Sequence, residues 1–227
     1  MSHTDPVGTE PRGGAAAPVV TFTANPSRDR TLLLGGALVR GGVQRVVSAT
    51  QQAAGKGVNV ARVVAESGVA SLAVLPFRDD AYVDTLRDDC PALMGIAAPD
   101  TQHRPRTNTT VTEPDGVTTK LNEPGPTLSA ADLEVASAQL VDAAAGATWV
   151  ALSGSLPPGA PDDWYAQLVA ALKPSGCKIA VDTSDAALDA VIAGLPAHSF
   201  DLIKPNSDEL AQLTGGDAAA FEEAASR

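Results

Sequence analysis

Residues 148–210 read TWVALSGSLPPGAPDDWYAQLVAALKPSGCKIAVDTSDAALDAVIAGLPAHSFDLIKPNSDEL, and this stretch decides the fold. Short apolar runs at 148–152, 178–181 and 201–203 alternate with helical patterns over 162–172 and 185–193. A further helix begins near Asn206, and another near Ala218. Strand and helix alternating at this spacing build a parallel sheet with helices on both faces. In such sheets ligands bind beyond the carboxyl ends of the strands. The unusual polar clusters of the stretch fall at those ends.

The last cluster is Lys204-Pro205-Asn206-Ser207-Asp208-Glu209-Leu210. It delivers a cation, an amide and a carboxylate to one helix N-terminus. Such an end favours anions through its free N–H groups and dipole. Lys204 adds charge for a phosphate, and Glu209 is a hard donor suited to a magnesium ion or its waters. Asn206 with Glu209 three residues later also matches a capping box. Taken alone, the segment supports both readings equally. Upstream, Ser153-Gly154-Ser155-Leu156-Pro157-Pro158-Gly159 ends a buried strand with small residues that let a ligand approach the backbone. Asp182 is placed to order metal-bound water, and Ser184 reads as a helix cap.

In the first half, residues 19–23 form a β-rich run, and Asn25-Pro26 turns the chain. Short strands are expected at 31–34 and 44–48. A helix over 57–66 carries Val60, Val63 and Val64 on one face, and Gly68 ends it. A strand at 71–75, a helix around 82–86 and a strand at 93–97 follow. Residues 107–112 and 117–121 alternate around Asp115-Gly116, a preferred hairpin turn. Their Thr-rich faces read as a flap rather than a central strand. Ser129 caps a helix over 129–145 that lines Leu133, Ala136 and Leu140 along one side.

Three clusters here admit a ligand. Gly55-Lys56-Gly57-Val58-Asn59 precedes the first strong helix; its glycines turn N–H groups toward an anion and Lys56 supplies charge. It is no Walker A loop, because Gly57 follows the lysine where Ser or Thr is needed and Thr50 replaces the first glycine. Asp29, in Asn25-Pro26-Ser27-Arg28-Asp29, offers a carboxylate to sugar hydroxyls, although a turn with surface charges explains the same residues. Arg106 suits bidentate phosphate binding, or an edge strand guarded by a cation.

Composition bounds the rest. The 227 residues suffice for one α/β domain, with 44% hydrophobic and only 4% aromatic residues, so Val, Ala and Leu build the core. A net charge of −11 argues against a nucleic-acid surface or a polybasic membrane patch. No run is long and apolar enough to span a bilayer. Residues 1–17 lack a signal peptide's apolar region and read as a disordered tail. Cys90 and Cys177 have no metal or redox spacing and read as free thiols in a cytoplasmic protein. His3, His103 and His198 show no partner spacing. The absence of GxGxxG after the first strand excludes a dinucleotide-binding dehydrogenase.

In family order, Asn25–Asp29, the run Gly55-Lys56-Gly57-Val58-Asn59-Val60-Ala61-Arg62, residues 153–159 and residues 204–210 resemble the pfkB carbohydrate kinase family. The resemblance covers residues 19–227. It implies an α/β fold, the ribokinase-like three-layer sandwich, with a mainly parallel sheet and a small β lid from about 30–48 and 106–122. It implies ATP as co-substrate, Mg²⁺, and phosphorylation of a ketose phosphate. The segments 106–116 and 119–126 are similar to the subgroup that converts fructose 1-phosphate to fructose 1,6-bisphosphate. Kinases of tagatose 6-phosphate and fructose 6-phosphate share much of this pattern.

Carried over by motif, Asp29 holds sugar hydroxyls, while Gly55, Lys56, Asn59 and Ser153 shape the sugar-phosphate site. Arg106 reaches the substrate phosphate, with Arg45 a second candidate. Lys204 and Asn206 touch the nucleotide, and Asn206 and Glu209 organise Mg²⁺. Dimers through the lid occur in related folds, so a homodimer is expected. Two departures stand out. Ala54 occupies a family glycine position. The Gly-Ala-Gly-Asp motif, whose Asp is the family's catalytic base, does not occur among the 227 residues. The base is expected beyond Arg227, and this chain is expected to be an inactive fragment, or else a sugar-phosphate binding module without kinase activity.

Overall fold

The computed structural model describes residues 17–217. The tail expected over 1–17, apart from Ala17, and the helix expected near Ala218 lie outside the described residues. The first half runs β1 (Val19–Thr23), β2 (Ser27–Leu34), β3 (Val46–Ala54), α1 (Lys56–Glu66), β4 (Ser71–Val74), α2 (Asp80–Asp89) and β5 (Gly95–Ala97). Then come β6 (Arg106–Thr112), β7 (Thr118–Asn122), α3 (Ala130–Ala143), β8 (Trp149–Ser153) and α4 (Trp164–Leu172). The order ends with β9 (Lys178–Asp182), α5 (Asp185–Ala193), β10 (Leu202–Ile203) and α6 (Ser207–Thr214).

Six strands form a parallel sheet in the order β10-β9-β8-β1-β4-β5. The alternation over 148–210 forecast this architecture. β1 lies inside the sheet, and Val20, Thr21, Phe22 and Thr23 on its two faces are all buried. Both faces are therefore covered, as helical crossovers require. Under β1, Phe22 meets Trp164 of α4 edge to face at 5.5 Å. The Trp164 indole N–H donates to Ser137 Oγ of α3 at 3.0 Å, so one side chain joins two helices to the sheet.

A second sheet has the order β3-β2-β6-β7. β2 pairs antiparallel with β3 and parallel with β6, and β6 pairs antiparallel with β7. Several expectations are corrected here. Ser27, Arg28 and Asp29 form the start of β2, and the turn is confined to the residues before them. β3 begins at Val46 and runs on to Ala54, past the expected end at 48. β6 is an inner strand of its sheet. Backbone ladders to their neighbours hold these strands, while much of the sheet stays open to water. Val47, Leu121 and Leu33 remain exposed on it.

The buried face of α1 is also different from the valine stripe. Gly57, Val58, Ala61 and Ala65 are buried, and Val63 is exposed. The helix lies so close to β1 that a Cβ on Gly57 would sit 2.6 Å from the Phe22 carbonyl oxygen. Gly57, Ala61 and Ala65 are thus buried together with Val58, while Val63 is turned to solvent. Ser184 precedes α5 without a side-chain capping bond; its hydroxyl donates to Asp185 instead.

The capping box of α3 carries a prediction. Asp132 accepts from the Ser129 N–H at 2.8 Å and from the Ser129 hydroxyl at 2.7 Å, and His103 Nε2 lies 3.3 Å away. These hydrogen bonds, the Ser129 backbone first, hold the Asp132 carboxyl below the usual carboxylate range. A depressed folded-state value stabilises the fold above the unfolded value of about 4, and that contribution disappears as pH falls through the folded value. Asp132→Ala is expected to lose about 1 kcal/mol at pH 7. Urea melts across pH should show the gap between variant and parent closing below about pH 4; a gap independent of pH overturns the assignment.

Candidate active site

The carboxyl ends of the central strands converge with the start of α1. Lys56 opens α1, and its Nζ lies 3.2 Å from Asp182 Oδ1 at the end of β9. Lys204, just after β10, brings its Nζ to 3.8 Å from the same oxygen. The Asp182 side chain is 17% exposed, against 47% for Lys56 and 71% for Lys204. A mostly covered carboxylate therefore orients two solvent-facing ammonium groups. Each ammonium has three donors, so protons remain for an anion. Gly55 caps α1 with no side-chain bond, and the first turn carries no acidic residue. The end of α1 thus adds to the positive field.

A second cluster lies on the other sheet. The β2–β6 ladder sets Asp29 opposite Asn108 and Ser27 opposite Arg106. Asp29 Oδ1 accepts from the Ser27 hydroxyl at 2.8 Å and from Asn108 Nδ2 at 3.0 Å. The Arg106 guanidinium is half-buried; burial pulls its pKa down, and the Asp29 carboxylate opposes that shift. Arg106 Nη1 donates to the Glu123 carbonyl at 3.4 Å. Arg106 Nε and Asn108 Oδ1 are buried without a hydrogen-bond partner. Native proteins leave few such atoms unpaired. A carboxylate, an amide acceptor and a guanidinium donor together match a ligand with hydroxyls and a phosphate.

The remaining expected residues sit as follows. Asn59 is exposed on the first turn of α1, and Arg45 is exposed between β2 and β3. Ser153 is buried at the end of β8. The next residue, Gly154, has its carbonyl tied by the Tyr165 hydroxyl at 3.0 Å and the Thr183 hydroxyl at 3.1 Å, which fixes that strand end. Asn206 and Glu209 form the capping box. Asn206 Oδ1 accepts from the Glu209 N–H and Glu209 Oε2 from the Asn206 N–H, each at 2.8 Å. Among the described residues no cluster of three His, Cys, Asp or Glu side chains is arranged around a metal ion.

Two residues matter more than the sequence indicated. Asn108 was legible in principle, because residues two apart on a strand share a face, and Arg106 and Asn108 are two apart. Asp182 had only its place at a strand end; no local signal reports that Lys56 and Lys204 converge on it.

A parallel α/β sheet with cations at its strand ends, and a second sheet carrying a carboxylate and an arginine, form an arrangement that suits a phosphorylated, hydroxyl-bearing ligand. The chain belongs to the pfkB family of carbohydrate kinases, whose model matches residues 28–227. A 1-phosphofructokinase of Xanthomonas campestris pv. campestris is 37% identical over 91% of this chain and 66% of its own length. A 1-phosphofructokinase of Rhodobacter capsulatus is 34% identical over 90% of this chain and 64% of its own length. The chain thus spans slightly under two thirds of the length of these curated relatives. Escherichia coli phosphofructokinase-2 in complex with fructose-6-phosphate superimposes with a TM-score of 0.78 at 27% identity, over 88% of this chain and 65% of that one. The tetrameric inhibited form of the same enzyme gives 0.77 over the same shares. The ribokinase-like expectation for the fold holds.

Proposed function

We propose that this chain provides the sugar-phosphate site, and part of the nucleotide site, of an ATP-dependent kinase that converts fructose 1-phosphate to fructose 1,6-bisphosphate. The observation that carries the reading is the Asp29–Asn108–Arg106 cluster with its unpaired buried atoms. Asp29 accepts hydrogen bonds from sugar hydroxyls, and Arg106 holds the substrate phosphate through its planar fork. Gly55, Lys56, Asn59 and Ser153 border that site. Lys204 meets the ATP phosphates with Asn206 beside it. The second sheet acts as a lid whose closure excludes water, so that the phosphoryl group goes to the sugar.

Mg²⁺ fits the hard oxygen donors present. Glu209 keeps Oε1 outside its capping bond, and in this reading Asn206 and Glu209 hold the ion, directly or through water. When bound, the ion screens phosphate charge. The names of the two curated relatives favour fructose 1-phosphate; fructose 6-phosphate, named with the Escherichia coli structure, and tagatose 6-phosphate are the alternatives. The exposed apolar residues of the second sheet, Val47 and Leu121 among them, suit a homodimer through the lid. A cytoplasmic location accords with the absence, among the described residues, of any helix long and apolar enough to cross a membrane.

The Gly-Ala-Gly-Asp base is not in this sequence, so the 227-residue chain is expected to bind without turning over. Calorimetric titration with the three ketose phosphates should give the tightest binding for fructose 1-phosphate, and ADP release should stay at background. Absence of binding by any of the three overturns the site. Rapid ADP release with a sugar phosphate overturns the inactive-fragment reading and keeps the kinase one.

A further inference from the structure

We propose that Asn25 is a positioning residue that latches the second sheet to the parallel sheet. Its consequence for ligand capture rests on the lid reading above; the latch itself does not. Asn25 lies between β1 and β2 and is 3% exposed. Its Nδ2 donates to the Pro124 carbonyl at 3.0 Å and to the Leu156 carbonyl at 3.4 Å. Pro124 is on the segment that leaves β7 for α3, and Leu156 is on the connection from β8 to α4. One carboxamide therefore ties together the chain entering the second sheet, the chain leaving it, and a loop at the strand ends of the parallel sheet.

The surroundings match this role. Gly125 has φ +98°, and a side chain there would collide with Asn25 Oδ1, so the return segment is fitted against the carboxamide. The same segment is held further along, where the Leu128 N–H donates to the Pro158 carbonyl at 2.8 Å. On its other side it is bonded to the start of β6. The Glu123 N–H donates to the Thr107 carbonyl at 3.2 Å, the Thr107 N–H to Glu123 Oε2 at 2.8 Å, and Arg106 Nη1 to the Glu123 carbonyl. A shift of Pro124 is thereby passed to the backbone that carries Arg106 and Asn108. The hydrogen bonds of Asn25 run to Pro124 and Leu156 and to no member of either cluster of the candidate active site, so its influence is through placement.

Asn25 Oδ1 is buried with no partner. A buried acceptor left unpaired is costly, so the donors of the same side chain, and not full satisfaction of the group, keep it in place. The carboxamide donors are the part that matters. A leucine of similar size keeps the volume and removes both bonds.

Amide hydrogen exchange on the whole ligand-free chain tests this. In Asn25→Leu, peptides from 106–128 are expected to exchange about tenfold faster or more, while peptides from β8 and β9 keep the parent rate. Unchanged exchange over 106–128, or an equal acceleration in both sheets, overturns the latch. If Asn25→Leu does not fold, Gly125→Ala keeps the carboxamide but displaces the segment from it; the same local acceleration supports the proposal and parental exchange overturns it. Fructose 1-phosphate titration is read separately. A parent that binds no sugar phosphate defeats the proposed function, and the exchange pattern still decides the latch.

Discussion

Arg106→Ala is expected to weaken fructose 1-phosphate binding by about ten- to a hundredfold and to leave ATP binding within about twofold. The guanidinium supplies charge-assisted hydrogen bonds, each about 1.5–3 kcal/mol, and every 1.4 kcal/mol is about tenfold in affinity. Arg106 lies on β6, in the second sheet, whereas Lys204, proposed to meet the ATP phosphates, follows β10 at the ends of the parallel strands. The two binding events should therefore separate. Its side chain is half-buried next to Asp29, so it is already partly desolvated and oriented before ligand arrives. Arg106→Lys should recover only part of the loss, because an ammonium lacks the planar fork. Calorimetry with each ligand is the check. Equal loss of both affinities, or none, removes Arg106 from the sugar-phosphate site.

Trp164→Ala is expected to cost about 3–5 kcal/mol of folding stability. That is a large share of the roughly 5–15 kcal/mol that holds a typical domain. The indole is 2% exposed, meets Phe22 of the central strand edge to face, and donates to Ser137 of α3. Truncation leaves a cavity at the junction of β1, α3 and α4 and strips Ser137 of its donor. Trp164→Phe keeps a ring against Phe22 and loses the N–H, so its cost should be well below that of alanine. Urea unfolding of the three proteins decides the matter. A loss below about 1 kcal/mol for Trp164→Ala would mean the site collapses without a cavity, contrary to close packing.

The parallel sheet was readable because its signals are local. Residues 148–203 alternate between runs of strand length and helical periodicity, and each element lies near its expected place. The capping boxes of Ser129 with Asp132 and of Asn206 with Glu209 were readable for the same reason, since three residues of spacing suffice to specify them. Asp29, Lys56 and Arg106 stood out by residue type beside glycines, a proline or a strand end. The course of β2 did not stand out. Ser27, Arg28 and Asp29 resemble a polar turn, and only pairing with residues 52–54 and 106–108 makes them a strand. The face of α1 was misread because valines outweigh glycine and alanine on any hydrophobic scale, although the near approach to β1 leaves no room for a side chain at Gly57.

The amino-acid sequence by itself determined that this is an α/β chain with a parallel sheet, that α3 and α6 begin in capping boxes, and where polar clusters gather at strand ends. Those properties follow from backbone sterics and side-chain periodicity over a few residues. Tertiary structure decided that Asp182 collects Lys56 and Lys204, that Asn108 bonds Asp29, and that Asn25 reaches both Pro124 and Leu156. These partners lie far apart along the chain. Their meeting depends on strand order and register, which arise from the packing of the whole sheet and leave no periodic trace around any one residue.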